Sequence, residues 1–219
     1  MIIPFIPEDL FELNNSLNPQ FNEEVIIIDN IFKNYKDILN ICNNVPVEKW
    51  KSSTNTRNFK DYYDCRLTFQ NNYPSSNKIN NRTKTLISLI HHYFKPNYNL
   101  KPHKEFEFNY FKHLKKDINN NLQHFPHYDP YYNIIFYIDP FENGGTAIYE
   151  NYPISKSFKE NDNLLFNTNG LKIDYLIQSK PNRCVIFDGR RLHGGYIKNH
   201  NTYYYNWRIN LVHFFTKYE

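Results

Sequence analysis

The sequence predicts a mainly β protein, an antiparallel sandwich or barrel with helices flanking it. Three observations carry that reading. From about residue 105 strand-like runs follow one another (KEFEFNYFKHL, YYNIIFYID, GTAIYENY, CVIFDG and TYYYNWRINLVHFF), rich in β-branched and aromatic residues. Turn signals separate them at 117–121, at Glu142-Asn143-Gly144-Gly145, at 167–170 and at Pro181-Asn182. No helix-period segment comes between them, and successive strands without crossover helices pair antiparallel.

The elements ahead of this region read as a support for it. EVIIID, residues 24–29, is a short β-branched run and predicts a strand. Phe32 to Ile41 has helical spacing, with Tyr35, Ile38, Leu39 and Cys42 on one side. KSSTNTRNFK (51–60) and NNYPSSNKINNR (71–82) are polar and read as loops. Thr83 to Phe94 is the clearest helix: Leu86, Ile87, Leu89, Ile90, Tyr93 and Phe94 recur every three or four residues, and Asn81 or Thr83 caps its start. No linker or repeat divides the chain. The expectation is one domain over 1–219, with an N-terminal strand and supporting helices in 1–104 and the core in 105–215.

Composition narrows the function classes. The 26 Lys and Arg against 22 Asp and Glu leave a net charge of +4, with the basic residues scattered. Lys112, Lys115 and Lys116 read as a solvated face, so nucleic acid is not the expected partner. Three cysteines, Cys42, Cys65 and Cys184, contain no CxxC and fit a reducing compartment. The N-terminus lacks the pattern of a signal peptide, and no apolar run approaches membrane-spanning length. The expected location is intracellular, in the cytoplasm. Abundant Asn, Lys, Ile, Tyr and Phe match an AT-rich genome, as of a virus, phage or AT-rich microbe.

The chemistry-bearing residues begin with HYD, His127-Tyr128-Asp129. Side chains two apart on a strand project from the same face, so an imidazole and a carboxylate can reach one ion from one side. Pro126 and Pro130 bracket the pair and limit its regular ladder. A third ligand should come from a strand distant in sequence. His193 is the candidate, after the apolar run Cys184 to Phe187 and before Gly194-Gly195. Two histidines and one carboxylate on one face leave coordination positions open, the set that suits non-haem Fe(II). His124, three before His127, offers a rival HxxH pair. His91 and His92 point about 100° apart on their helix and read as surface or core-edge residues. His103, His113 and His200 read as surface residues, and His213 as a hydrogen-bonded core histidine. In the last run, Tyr203, Tyr205, Trp207, Ile209 and Leu211 alternate with Tyr204, Asn206, Arg208, Asn210 and Val212. That puts a guanidinium mid-strand, where it needs a counter-charge. A bound carboxylate would supply one bidentately. An internal salt bridge to Asp139 or Glu150 would supply it otherwise.

In this order the pieces resemble the 2-oxoglutarate- and Fe(II)-dependent dioxygenases, nearest the prolyl-4-hydroxylase-like branch. The likeness rests on His127-x-Asp129, the run IIFYID with PFENGGTAIYE, KPNRCVIF leading to His193, and Arg208 fifteen residues later, roughly over 105–215. PHYD, GGTAIY and LHGG with RINLVHFF, together with EVIIIDNIF, are similar to a phage and bacterial branch. The resemblance implies a double-stranded β-helix, the cupin-like jelly roll. It implies that His127, Asp129 and His193 bind Fe(II) and that Arg208 binds the distal carboxylate of 2-oxoglutarate. Asn210 stands where many relatives place Ser or Thr against that carboxylate. Asp129 argues against a halogenase. The implied reaction consumes O2 and 2-oxoglutarate, releases succinate and CO2 and hydroxylates a peptide side chain or small molecule, with ascorbate as a reductant. Tyr110, Phe108 and Tyr128 are expected to line the pocket, and 51–60, 71–82 and 153–170 to form lids. The alternatives are a cupin-like metalloenzyme that uses no keto acid and a non-catalytic jelly-roll binding module.

Overall fold

The computed structural model describes residues 8–44, 58–59, 62–68, 81–129, 131–150 and 165–218. Ahead of the core come β1 (Gln20–Phe21), β2 (Val25–Ile28), α1 (Tyr35–Asn44), β3 (Asn58–Phe59), β4 (Tyr62–Thr68) and α2 (Asn81–Phe94). The core strands follow: β5 (Leu100–His113), β6 (Leu122–His124), β7 (Tyr132–Tyr137), β8 (Gly145–Tyr149), β9 (Leu165–Asn167) and β10 (Ile173–Gln178). β11 (Arg183–Asp188), β12 (His193–Tyr196), α3 (His200–Tyr205) and β13 (Arg208–Lys217) complete it.

The core is a long hairpin rolled up on itself. β8 pairs with β10, β7 with β11, His127 with His193 at the head of β12, and β5 with β13, all antiparallel. Nested pairs of this kind settle into two facing sheets because each strand has one apolar side to bury. The larger sheet runs β1-β2-β11-β7-β13-β5-β4-β3, the smaller β10-β8-β12, and β6 pairs with β9. This is the jelly-roll double-stranded β-helix, mainly β with helices outside it.

Alternation along the strands divides the residues between two cores. Ile134 and Phe136 of β7, Cys184 and Ile186 of β11, and Ile209, Leu211 and Phe215 of β13 face outward and cluster with Ile38 and Cys42 of α1 and Leu86 and Ile90 of α2. Tyr137, Ile148, Ile177, Val185 and Phe187 fill one end of the space between the sheets. Tyr137 hydroxyl and Thr146 hydroxyl share a hydrogen bond of 2.8 Å across that gap. The turn into β8 depends on two glycines. Gly144 has φ +101° and a Cβ there would lie 2.1 Å from the Tyr196 carbonyl oxygen; Gly145 has φ +146° and its Cβ would lie 1.9 Å from that of Ile177.

Several expectations shift. The run from Tyr203 to Phe215 is not one strand. Asn199 caps a short helix, its side chain accepting from Asn201 N–H at 3.0 Å, and the strand begins only at Arg208. Tyr203 consequently packs against Phe111 rather than lying in the ladder. Helix α1 starts at Tyr35 because Phe32 bridges to Leu13 and donates its N–H to Asn182 Oδ1. The run IDYLIQ forms the edge strand β10, and residues 58–59 pair with β4 although 51–60 read as a loop. The remaining expected lid residues lie outside the described residues, save 81–82 in α2 and 165–170, which form β9 and the turn after it. Among the described residues no helix is long and apolar enough to cross a membrane.

Candidate metal and anion site

His127 lies in the extended segment after β6, tied to the head of β12 by two backbone hydrogen bonds, His127 N–H to His193 O at 2.8 Å and His193 N–H to His127 O at 3.0 Å. Asp129 is fixed by its N–H donating to Gly189 O at 2.8 Å. Rolling the hairpin therefore joins residues from both of its arms. His127 Nε2 and His193 Nε2 each stand 3.3 Å from Asp129 Oδ2. All three donor atoms lie within 4.8 Å of one another.

Both rings are held in one tautomer. His127 Nδ1 bonds the Phe125 carbonyl at 2.8 Å and His193 Nδ1 the Arg191 carbonyl at 2.8 Å. A carbonyl only accepts, so each Nδ1 carries the proton and each Nε2 keeps its lone pair turned toward Asp129. Burial pushes the His193 pKa down, against the pull of Asp129, which keeps the ring neutral. Burial opposes the charge on Asp129, but its close contacts with the His127 and His193 rings outweigh it and hold the carboxyl well below the usual carboxylate range. Two neutral imidazoles and an ionised carboxylate converging on one point form a donor set for a divalent cation. Neighbouring ligand atoms about 2.1 Å from one ion and at right angles are about 3 Å apart, close to the 3.3 Å that separates Asp129 Oδ2 from each ring nitrogen.

The three side chains open into a cavity of about 370 Å³ between the sheets. Along β13 the inward side chains Arg208, Asn210, Val212 and Phe214 line it in sequence. Register places Asn210 opposite Tyr137, Val212 opposite Ile135 and Phe214 opposite Asn133. Asn133 touches the triad: its Nδ2 donates to Asp129 Oδ2 at 2.7 Å and meets His193 Nε2 at 3.0 Å. The cavity thus has the His127, Asp129 and His193 cluster at one end, an apolar middle at Val212 and Ile135, and Arg208 at its other end.

Arg208 is buried. Its Nη2 donates to Gly145 O at 3.0 Å, and its guanidinium lies 5.5 Å over the Phe111 ring. Asn210, with its amide oriented to satisfy both ends, accepts from Arg208 Nη1 at 3.0 Å and donates to Ile209 O at 3.1 Å. Among the described residues no carboxylate lies within 4.0 Å of the guanidinium. Glu150 pairs instead with Lys172. Asp139 is occupied by Ile209 N–H at 3.2 Å, Phe141 N–H at 3.1 Å and the Tyr203 hydroxyl at 3.4 Å. Burial pushes Asp139 up to about 6, opposed by the nearby Arg208 charge. The internal salt bridge considered for Arg208 is not formed.

Other expected residues fall elsewhere. Tyr110 does not line the cavity: strand alternation turns it to the helical side, where its hydroxyl donates to Cys42 O at 3.2 Å and its ring stacks on Trp207. Asn109 and Phe111 face inward in its place. The side chain of Phe108 lies outside the described residues. Tyr128 is 45% exposed and is not part of the cavity wall. His124 lines the cavity but packs on Phe111, outside the three-residue cluster. His113 and His200, expected at the surface, are buried together, with His200 Nδ1 and His113 Nε2 3.0 Å apart. The side chain of His103 lies outside the described residues. His91 is half-buried and His92 exposed on α2, and His213 is buried beside Phe215. Asn133 was missed. Its signal was a lone carboxamide on the inner face of the apolar run YYNIIFYI.

No family model and no curated protein matches this sequence. Solved structures do. A 2OG-Fe(II) oxygenase family oxidoreductase from Burkholderia pseudomallei matches at 10% identity and TM-score 0.46, over 89% of this chain and 85% of its own. A Pseudomonas putida prolyl-4-hydroxylase matches at 10% identity and TM-score 0.44, over 84% and 86%. The epimerase SnoN, solved with Fe3+, alpha ketoglutarate and nogalamycin RO, matches at 10% identity and TM-score 0.48, over 89% and 79%.

Proposed function

We propose that this protein is an Fe(II)- and 2-oxoglutarate-dependent dioxygenase that hydroxylates a C–H bond of a peptide or small-molecule substrate. One observation carries the reading: His127, Asp129 and His193 converge at one end of a cavity whose other end holds a buried arginine with no carboxylate partner among the described residues. His127 Nε2, Asp129 Oδ2 and His193 Nε2 would hold the metal, leaving the cavity side open for other ligands. With 2-oxoglutarate and O2, a metal so held supplies the oxidation, releasing succinate and CO2 while one oxygen atom passes into the substrate C–H bond.

The protein's part is placement. Arg208 would receive the distal carboxylate through its planar fork, pre-aimed by Gly145 O, Asn210 and the Phe111 ring. Gly195 permits the approach. A Cβ there would stand 3.3 Å from Arg208 Nη1. Gly195 follows His193 by two positions on β12, about 6.6 Å along a strand, a span that suits a five-carbon diacid joining metal and arginine. Val212 and Ile135 would meet its methylene carbons and exclude water.

Anaerobic titration of the metal-free protein with Fe(II) and 2-oxoglutarate tests this. The expected result is a visible charge-transfer band, abolished in His127→Ala. A well-folded wild-type protein that develops no band would sink the proposal.

A further inference from the structure

Asn133 is a buried polar group in contact with the triad that the proposed reaction leaves unused. It sits at the start of β7 on the inner face, is 3% exposed, and lies between Phe187 and Phe214 in the ladder. Both protons of its amide are committed to the ligand cluster: one goes to Asp129 Oδ2 at 2.7 Å, the other to His193 Nε2 at 3.0 Å. Its Oδ1 has no hydrogen-bond partner among the described residues. Gly189 leaves room for this amide: a Cβ there would stand 2.6 Å from that oxygen.

The two bonds differ in what a metal does to them. His193 Nε2 has a single lone pair, so it cannot accept from Asn133 and ligate a cation at once. Asp129 Oδ2 has more than one, so it can ligate and still accept. From this asymmetry, and resting on the metal site proposed above, we infer that Asn133 is a positioning residue that sets the metal affinity of the triad. In the metal-free protein it occupies the lone pair of the buried His193 and keeps that ring and Asp129 aimed at a common point. When a cation enters, the His193 bond is surrendered and the Asp129 bond stays, fixing which carboxylate oxygen faces the ion. Partners that hold ligands in this way are worth about ten- to a hundredfold in metal affinity.

Co(II) binding to the metal-free protein, followed by calorimetry and by its visible ligand-field spectrum, tests the inference in wild type, Asn133→Leu and Asn133→Gln. Leu keeps the volume and removes the donor; Gln keeps the amide. The expected result is an affinity at least about tenfold weaker in Asn133→Leu, an altered Co(II) spectrum, and recovery of most of the loss in Asn133→Gln. Should Asn133→Leu fail to fold, Asn133→Ser, whose shorter side chain retains only a hydroxyl donor, replaces it and should bind Co(II) more weakly than wild type. Wild-type affinity and spectrum in the Leu variant would overturn the positioning role and leave the metal site standing. A wild-type protein that binds no Co(II) would overturn both.

Discussion

Each working atom of the triad owes its orientation to a backbone carbonyl or an amide. Phe125 O and Arg191 O fix the tautomers of His127 and His193, and Asn133 holds Asp129. Arg208 is the residue whose loss is most diagnostic. Its charge is buried beside Gly145 O and Asn210, with no carboxylate in contact among the described residues. Arg208→Ala should remove a charge-assisted contact to the diacid worth about 2 kcal/mol, roughly thirtyfold in apparent affinity. Measuring succinate formation against 2-oxoglutarate concentration checks this. A variant needing no more 2-oxoglutarate than wild type would favour a metalloenzyme that takes no keto acid. At this scale the sequence was informative where chemistry makes a residue costly to misplace. His127 and Asp129 stood out by their spacing, His193 by its place after an apolar run and before two glycines, and Arg208 as a charge in the middle of a strand. Tyr110 misled because an aromatic residue on a strand looks the same from either face, and only the pairing of β5 shows which way it points. Asn133 went unnoticed because a single carboxamide in a strand carries no spacing signal.

Strands and helices were legible wherever periodicity persisted for several residues. β7, β8, β11 and α2 were all visible. α3 was not, because three consecutive tyrosines have high strand preference and only the Asn199 cap turns them into a helix. β10 escaped because it is an edge strand whose half-exposed pattern imitates a loop. β13 shows what strict alternation does: inward residues line the cavity, while Ile209, Leu211 and Phe215 pack under the helices. His213 goes with the second set. Burial, with a smaller push from Arg82, holds it down at about 3. Unfolded, it titrates near 6.5. Between those values the unfolded chain binds a proton that the folded one refuses, so stability falls as pH drops below about 6.5. The cost is about 2 kcal/mol at pH 5 relative to pH 8. His113 and His200, pushed down to about 3 and about 4 by burial, act in the same direction. Asp139, pushed up to about 6, opposes them: between roughly 4 and 6 the folded form keeps a proton that the unfolded chain has released. Urea unfolding of His213→Phe at pH 5 and pH 8 should show the gap between the two conditions shrink by about 2 kcal/mol. An unchanged gap would mean that His213 does not resist protonation in the fold.

Nested antiparallel pairing governs the molecule as a whole. The opening half supplies the outer strands of the larger sheet at both edges and the helices that cover its back. The pairing of partners so far apart in sequence was not legible, because register over such distances depends on the shape of the finished roll. A cation at the triad would bind only the folded chain and so stabilise it. At a hundredfold excess over Kd the gain is about 2.7 kcal/mol, or roughly 5–10 °C in Tm for a domain of this length. Thermal melts with and without Co(II) measure it, and Asp129→Ala should show no shift. The backbone bridge between His127 and His193 carries one more consequence. A nick anywhere between Asp129 and His193 would leave one fragment with an imidazole and a carboxylate and the other with a lone imidazole. Neither piece alone would hold the ion, so ion capture by two separately made fragments would report that they had wound themselves back together.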